Sequence, residues 1–151
     1  MADAETLTFS LSSGGDVVIK LRPDVAPGHV ERIAGLARDG FYDGVVFHRV
    51  IPGFMAQGGD PTGTGMSGSD LPDLKAEFSA EPHTRGTCSM ARTSAPNSAN
   101  SQFFICLDDS TFLDNQYTVW GEVESGMEHV DALPAGEPVR NPGSIVKASV
   151  A

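Results

Sequence analysis

No apolar run in the sequence approaches the ~20 residues that a membrane-spanning helix requires, which excludes a helical integral membrane protein. Basic side chains are scarce. Ten Lys and Arg stand against 20 Asp and Glu, for a formal charge of −10. A surface of that sign repels phosphates and argues against nucleic acid or an anionic membrane as partner. Cysteine is scarcer still, with only Cys88 and Cys106, both in apolar, strand-like surroundings. The acidic start Met-Ala-Asp-Ala-Glu does not have the form of a secretory signal. Free buried thiols in a cytoplasmic protein are therefore expected in preference to a disulfide.

Several catalytic signatures are missing as well. There is no G-x-S-x-G, H-E-x-x-H or C-x-x-C, and no glycine-rich stretch ends in the Lys that a P-loop needs. Gly63-Thr64-Gly65-Met66-Ser67-Gly68 matches G-x-G-x-x-G, but Asp70-Leu71-Pro72-Asp73 follows where a dinucleotide site requires a helix. His29, His48, His83 and His129 are too far apart to form a local metal pair. Asp108-Asp109 beside Ser110 reads as a turn. Neither metal nor cofactor is expected, and hydrolase chemistry has little support.

Glycine and proline, by contrast, are plentiful: 17 and 10 among 151 residues, which favours short strands and frequent turns. The length suits one domain spanning residues 1–151. Thr6 to Ser12 alternates, with Leu7, Phe9 and Leu11 on one face, and Val17 to Leu21 returns beyond the turn Ser13-Gly14-Gly15-Asp16. Pro27 suits the first position of a helix in which Val30, Ile33, Leu36 and Ala37 recur at helical spacing, with Glu31, Arg32 and Arg38 facing water. Gly40 ends that helix. Val45 to Ile51, Phe54 to Gln57, Gly86 to Met90, Gln102 to Leu107, Tyr117 to Val123 and Ile145 to Val150 read as strands. Ser125-Gly126-Met127-Glu128 has the form of a capping box opening a short second helix, which Pro134 stops. A mainly β chain with a strand at each end avoids exposed sheet edges by closing. The expectation is a closed eight-stranded antiparallel β-barrel capped by two α-helices.

The stretch from Phe47 to Asp60 sets one guanidinium and one amide among large apolar side chains. Strand alternation puts Phe47, Arg49 and Ile51 on one face, with His48 and Val50 on the other. Beyond the Pro52-Gly53 turn, Met55 and Gln57 share a face, and Phe54 and Ala56 share the opposite one. Arg49 and Gln57 then point into one region walled by Phe and Met. Taken alone, Phe-His-Arg is better read as a surface arginine on an ordinary hairpin, by roughly three to one.

A second segment, Ser89-Met90-Ala91-Arg92-Thr93-Ser94-Ala95-Pro96-Asn97-Ser98-Ala99-Asn100-Ser101-Gln102-Phe103-Phe104-Ile105, decides between these readings. With Phe47 to Asp60, Phe112-Leu113-Asp114 and Val119-Trp120-Gly121, it closely resembles the cyclophilins, in particular the short, single-domain bacterial type. These are peptidyl-prolyl cis-trans isomerases built on eight-stranded barrels. The resemblance runs from about Thr6 to Val150 and implies that Arg49 is the catalytic arginine. It implies that Phe54, Met55, Phe104 and Leu113 wall a proline pocket, that Gln57 hydrogen-bonds the substrate backbone, and that Gln102 supports the arginine's surroundings. Ala91 and the backbone of Arg92 match the rim that holds the residue before proline. Phe112 stands where many members carry Trp, and Tyr117 where they carry His. Both keep an aromatic ring but lack the indole N–H and the imidazole. The segment after Met90 is one residue longer than the family pattern, which leaves Thr93 and Ser94 unassigned.

The implied partners are proline-containing peptides and unfolded proteins bound by a monomer, with cyclosporin held weakly for want of the indole donor. A different class of protein, a barrel that docks proline segments without isomerising them, would have no need of Arg49.

Overall fold

In a computed structural model, residues 6–65 and 67–151 are described; the acidic start Met1 to Glu5 and Met66 of the glycine-rich motif lie outside them. The strands are β1 (Thr6–Leu11), β2 (Gly15–Leu21), β3 (Arg49–Ile51), β4 (Met55–Gly58), β5 (Thr87–Met90), β6 (Phe103–Cys106), β7 (Val119–Ser125) and β8 (Ile145–Val150). Two helices, α1 (Pro27–Arg38) and α2 (Met127–Asp131), and a 3₁₀ turn over Thr111–Leu113 are the other elements among the described residues. All eight strands join one sheet in the order β3-β4-β6-β5-β7-β2-β1-β8, every neighbouring pair antiparallel. The first and last strands of the chain pair, β1 with β8, as the closure argument anticipated.

The closure itself needs correction. The edge strands β3 and β8 share no ladder, and the sheet is open and curled. The cause lies at Val50, whose N–H and C=O are both taken by Gly136 at 2.9 Å, while His48 O accepts from Val139 N at 2.9 Å. A loop thus occupies the edge of β3 where β8 would have paired. The seam is spanned just upstream, where Phe47 N donates to Gly143 O (2.8 Å) and Ile145 N to Val45 O (2.9 Å). The regular part of the predicted strand from Val45 is therefore only Arg49–Ile51.

Alternation on β1 and β2 delivers Leu7, Phe9, Leu11, Val17, Ile19 and Leu21 to one core. Phe103 is its hub. The ring stacks on Phe9 at 5.4 Å and meets Tyr42, Phe47 and Trp120 edge-on at 5.6, 6.0 and 5.9 Å, a geometry that aromatic quadrupoles favour. Phe47, expected on the face of Arg49, instead belongs to this core with Val50, because the backbone is not a regular strand before Arg49.

Helix α1 buries Val30, Ile33, Leu36 and Ala37, and Gly40 follows it in the left-handed conformation at φ +77°. Its N-terminus has no side-chain cap of its own. Glu77 supplies one from a distant loop, accepting from Gly28 N (3.2 Å) and His29 N (2.8 Å). Arg32, expected in water, instead donates to Asn100 O and Pro72 O, tying α1 to the loop that follows the glycine-rich stretch and to the one that leads into β6.

The expected capping box is absent. Ser125 ends β7, and Gly126, left-handed at φ +88°, takes the N-cap position with no side-chain hydrogen bond. An added Cβ there would collide with Asp16 O, so glycine is needed for the passage of backbone past backbone. Gly126→Ala should therefore destabilise by more than about 2 kcal/mol, combining positive-φ strain with overlap. Ser125→Ala should stay within about 0.5 kcal/mol. Urea denaturation of both variants checks this, since a true capping box would reverse the ranking.

Candidate active site

Register assembles the site. Arg49 pairs with Gln57 across β3–β4, Gln57 with Phe104 across β4–β6, and Phe104 with Ser89 across β5–β6. Directly opposed residues share a face of a sheet, so one row crossing four strands carries a cation, an amide and an aromatic ring outward from the core. The next row, Ile51, Met55 and Cys106, runs parallel to it. Met55, Phe104, Cys106 and Leu113 form a second apolar cluster, separate from the main core, with Ile51, Phe54, Ala91 and Tyr117 packed against it.

A cavity of about 140 Å³ opens on this cluster, lined by Arg49, Phe54, Met55, Gln57, Ala91, Arg92, Phe104, Leu113 and Tyr117. It falls below the ~300–1,000 Å³ typical of drug-sized ligands and fits a single small ring. Nine of the eleven residues singled out from the sequence thus meet at one place. Phe54 reaches it differently from the expectation: it sits in the turn before β4, on the same side as Met55, with its N–H on Ile51 O at 3.0 Å.

The other two lie just outside. Gln102 acts through Gln57, its Oε1 accepting from Gln57 Nε2 at 3.0 Å, while Gln57 Oε1 accepts from Arg49 Nη1 at 3.4 Å. Phe112 is 67% exposed at the rim, its ring 5.6 Å from that of Phe54.

The polar support continues beneath. Gln102 Nε2 donates to Gly65 O (3.1 Å) and Ser67 O (2.8 Å), which fixes its amide against the glycine-rich loop. That loop is organised by buried Asp60. Burial opposes ionisation of Asp60, but bonds from Thr62 N and Oγ1, Ser67 N and Gly65 N outweigh it and bring the carboxyl down to about 2. The loop that resembled a dinucleotide fingerprint is thus a prop for the site. A larger groove of about 400 Å³, lined in part by Ser67, Asn100, Thr93 and Gln102, adjoins the pocket and shares Gln57, Ala91 and Arg92 with it.

Arg92 spends its charge at home. Its guanidinium donates to Gln116 O and Thr93 O and lies 4.7 Å from the centre of the Tyr117 ring, which itself stands edge-on to Phe104 at 5.6 Å. Tyr117, where the family pattern has His, is therefore held by ring contacts. Burial pushes the Cys106 thiol up to about 12, so the one thiol in this apolar cluster is inert at neutral pH. Among the described residues no group of His, Cys, Asp or Glu is arranged to hold a metal ion.

Sequence reasoning missed two features. Glu137 lies beside Arg49, its Oε2 accepting from Nε at 2.6 Å, although 88 positions separate them. Behind Phe104, buried His83 stacks on the ring at 6.1 Å and bonds Asp114 Oδ1 and Ser89 Oγ at 3.0 Å each.

His29, His48 and His83 are all buried, and desolvation drives each below its ordinary 6.5. An unfolded chain then binds more protons than the folded one as pH falls through 6.5. Stability should be level above about pH 7 and decline below 6.5, at up to ~1.4 kcal/mol per pH unit for each proton taken up. Asp60 adds a loss between its ordinary 3.8 and about 2. The pocket lining contains no histidine, so turnover per folded molecule should be flat from about pH 6 to 8. Urea midpoints and exchange kinetics measured over the same buffers check both; a step in turnover near 6.5 would place a histidine in the reaction.

Comparison with known proteins gives one consistent result. The family model described as cyclophilin type peptidyl-prolyl cis-trans isomerase/CLD matches residues 6–150. A probable peptidyl-prolyl cis-trans isomerase of Brucella suis is 51% identical, over 99% of this chain and 84% of its own length. Peptidyl-prolyl cis-trans isomerase B of Bacillus subtilis is 41% identical, over 87% of this chain and 92% of its own. Among solved structures, a cyclophilin from Hirschia baltica superposes with a TM-score of 0.88 at 33% identity, covering 96% of this chain and 73% of that one. A cyclophilin-type isomerase of Cryptosporidium parvum, solved in the presence of the dipeptide Ala-Pro, gives 0.90 at 28% identity, covering 97% and 98%.

Proposed function

Since the chain belongs to the cyclophilin-type peptidyl-prolyl cis-trans isomerase family, we propose that Arg49 is its catalytic group and that the cavity under Phe104 seats the substrate proline. The reaction is rotation about an Xaa-Pro peptide bond. Its barrier, ~18–20 kcal/mol, is the resonance lost when the amide twists. As it twists, the prolyl nitrogen becomes pyramidal and regains a lone pair. A guanidinium N–H directed at that lone pair bonds it weakly in the planar ground state and strongly at the transition state, which is the differential that lowers a barrier. Met55, Phe104 and Leu113 hold the ring while the carbonyl before it swings. Gln57 and the backbone about Ala91 and Arg92 hold the flanking peptide.

The observation that carries this reading is the register row that sets Arg49 and Gln57 at the lip of an apolar cavity sized for one ring. The Ala-Pro dipeptide with the Cryptosporidium relative supports proline peptides as ligands. We take residues 1–151 as one monomeric domain acting on proline-containing peptides and unfolded proteins. A reducing, cytoplasmic setting is supported by the free thiols of Cys88 and Cys106, and no helix among the described residues is long and apolar enough to cross a membrane.

Two variants test the assignment. Arg49→Ala should fold normally and lose about 10²–10³ in turnover, as removal of one transition-state donor does, with much smaller loss of peptide binding. Retention of more than about half the activity in an NMR exchange assay would overturn the role. Phe112→Trp should tighten cyclosporin binding about ten- to a hundredfold by restoring a donor to a drug carbonyl otherwise left unpaired. Small prolyl peptides should be turned over nearly as before. Unchanged drug affinity with the fold intact would show that residue 112 does not face the ligand.

A further inference from the structure

Arg49 is a long side chain with 39% of its surface in water, and such a group holds one direction only if something fixes it. Its bond to Gln57, at 3.4 Å, is at the limit of a hydrogen bond. The firm contact is on the other side. Nε donates to Glu137 Oε2 at 2.6 Å, and Nη2 lies 2.6 Å from the same oxygen. Glu137 is not a free surface carboxylate that happens to be near. Its backbone is laid along the outer edge of β3 by three bonds, two between Gly136 and Val50 and one from Val139 N to His48 O, all at 2.9 Å. Those bonds flank Arg49 on both sides and bring residue 137 beside it in register.

We propose that Glu137 is a positioning residue for Arg49, and that the loop pairing with β3 exists to deliver this carboxylate. The proposal rests on the assignment of Arg49 as catalytic. A guanidinium has five N–H bonds in one rigid plane. Glu137 takes Nε–H, and Gln57 takes one of those on Nη1. Held firmly by Glu137 and more weakly by Gln57, the group is restrained from rotating about its last bonds and from swinging into water, and the N–H bonds on Nη1 and Nη2 that face neither partner are the ones left to meet a twisted peptide. Glu137 itself does not line the pocket, so its effect should fall on the rate and leave binding alone.

The test is a cycle of four proteins: wild type, Glu137→Ala, Arg49→Ala and the double variant, with Glu137→Gln as the conservative replacement. Each would be assayed by NMR exchange on an Xaa-Pro peptide, with peptide affinity from titration and folding from thermal denaturation. Because the pair is half-exposed, Glu137→Ala should lower kcat about three- to fivefold, with peptide Kd within about twofold and melting unchanged. The Arg49 Nε–H resonance, slowed in solvent exchange by the carboxylate in wild type, should move and exchange faster. Glu137→Gln, which keeps an acceptor oxygen without the charge, should fall between. In the Arg49→Ala background, removal of Glu137 should cost nothing further. An unchanged or increased kcat in Glu137→Ala would overturn the proposal, as would an equal loss in both backgrounds. Full activity in Arg49→Ala would instead show that the catalytic assignment beneath it is wrong.

Discussion

The site depends on a single row of cross-strand neighbours. Arg49, Gln57, Phe104 and Ser89 stand opposite one another across β3, β4, β6 and β5, where hydrogen-bonded strands are ~4.8 Å apart. No loop has to fold in a special way to bring cation, amide and ring together; the ladder does it. A one-residue slip of β4 would turn Gln57 and Met55 into the core and Ala56 out to the pocket. The buried Ala56 and Phe103 make that slip costly, so the packing of the core fixes the geometry of the site.

A charged group at the mouth of an apolar cavity needs its donors directed, and on the side away from Glu137 a relay adds to that direction. Asp60 shapes the glycine-rich loop, the loop's carbonyls hold Gln102, Gln102 holds Gln57, and Gln57 meets Arg49. Every member is fixed by a bond to the next, and the relay ends at an ionised carboxylate held by several N–H and O–H donors. A second support, His83 on Asp114 and Ser89, backs the aromatic wall at Phe104.

Much of this could be read from the chain. The alternation in β1 and β2 and the spacing of Val30, Ile33, Leu36 and Ala37 are local patterns, and the structure follows them. Met55 and Gln57 were placed on the correct face by the same alternation. Phe47 and Phe54 were not, because each lies just beyond a regular strand, where period two no longer holds. The capping box failed because Ser125 was claimed by the β7 ladder and Gly126 by a close backbone crossing. Glu137 and the edge it covers were invisible, since nothing local links residue 137 to residue 49. The same contact explains why the curled sheet does not close: the edge of β3 is already occupied.

Phe103 and Phe104 are consecutive residues of β6, one facing the core and the other the pocket. The wall between core and cavity is therefore one peptide thick, and behind it stand the packed rings of Phe9 and Trp120. The cavity cannot be deepened without hollowing out the fold. If this cavity seats the substrate as proposed, that sets a ceiling on what can enter its depth: one ring, with the rest of the chain lying along the surface. On the proposed reading, such shallow engagement leaves selection among polypeptides to contacts outside the cavity, along the surface on which the rest of the chain would lie.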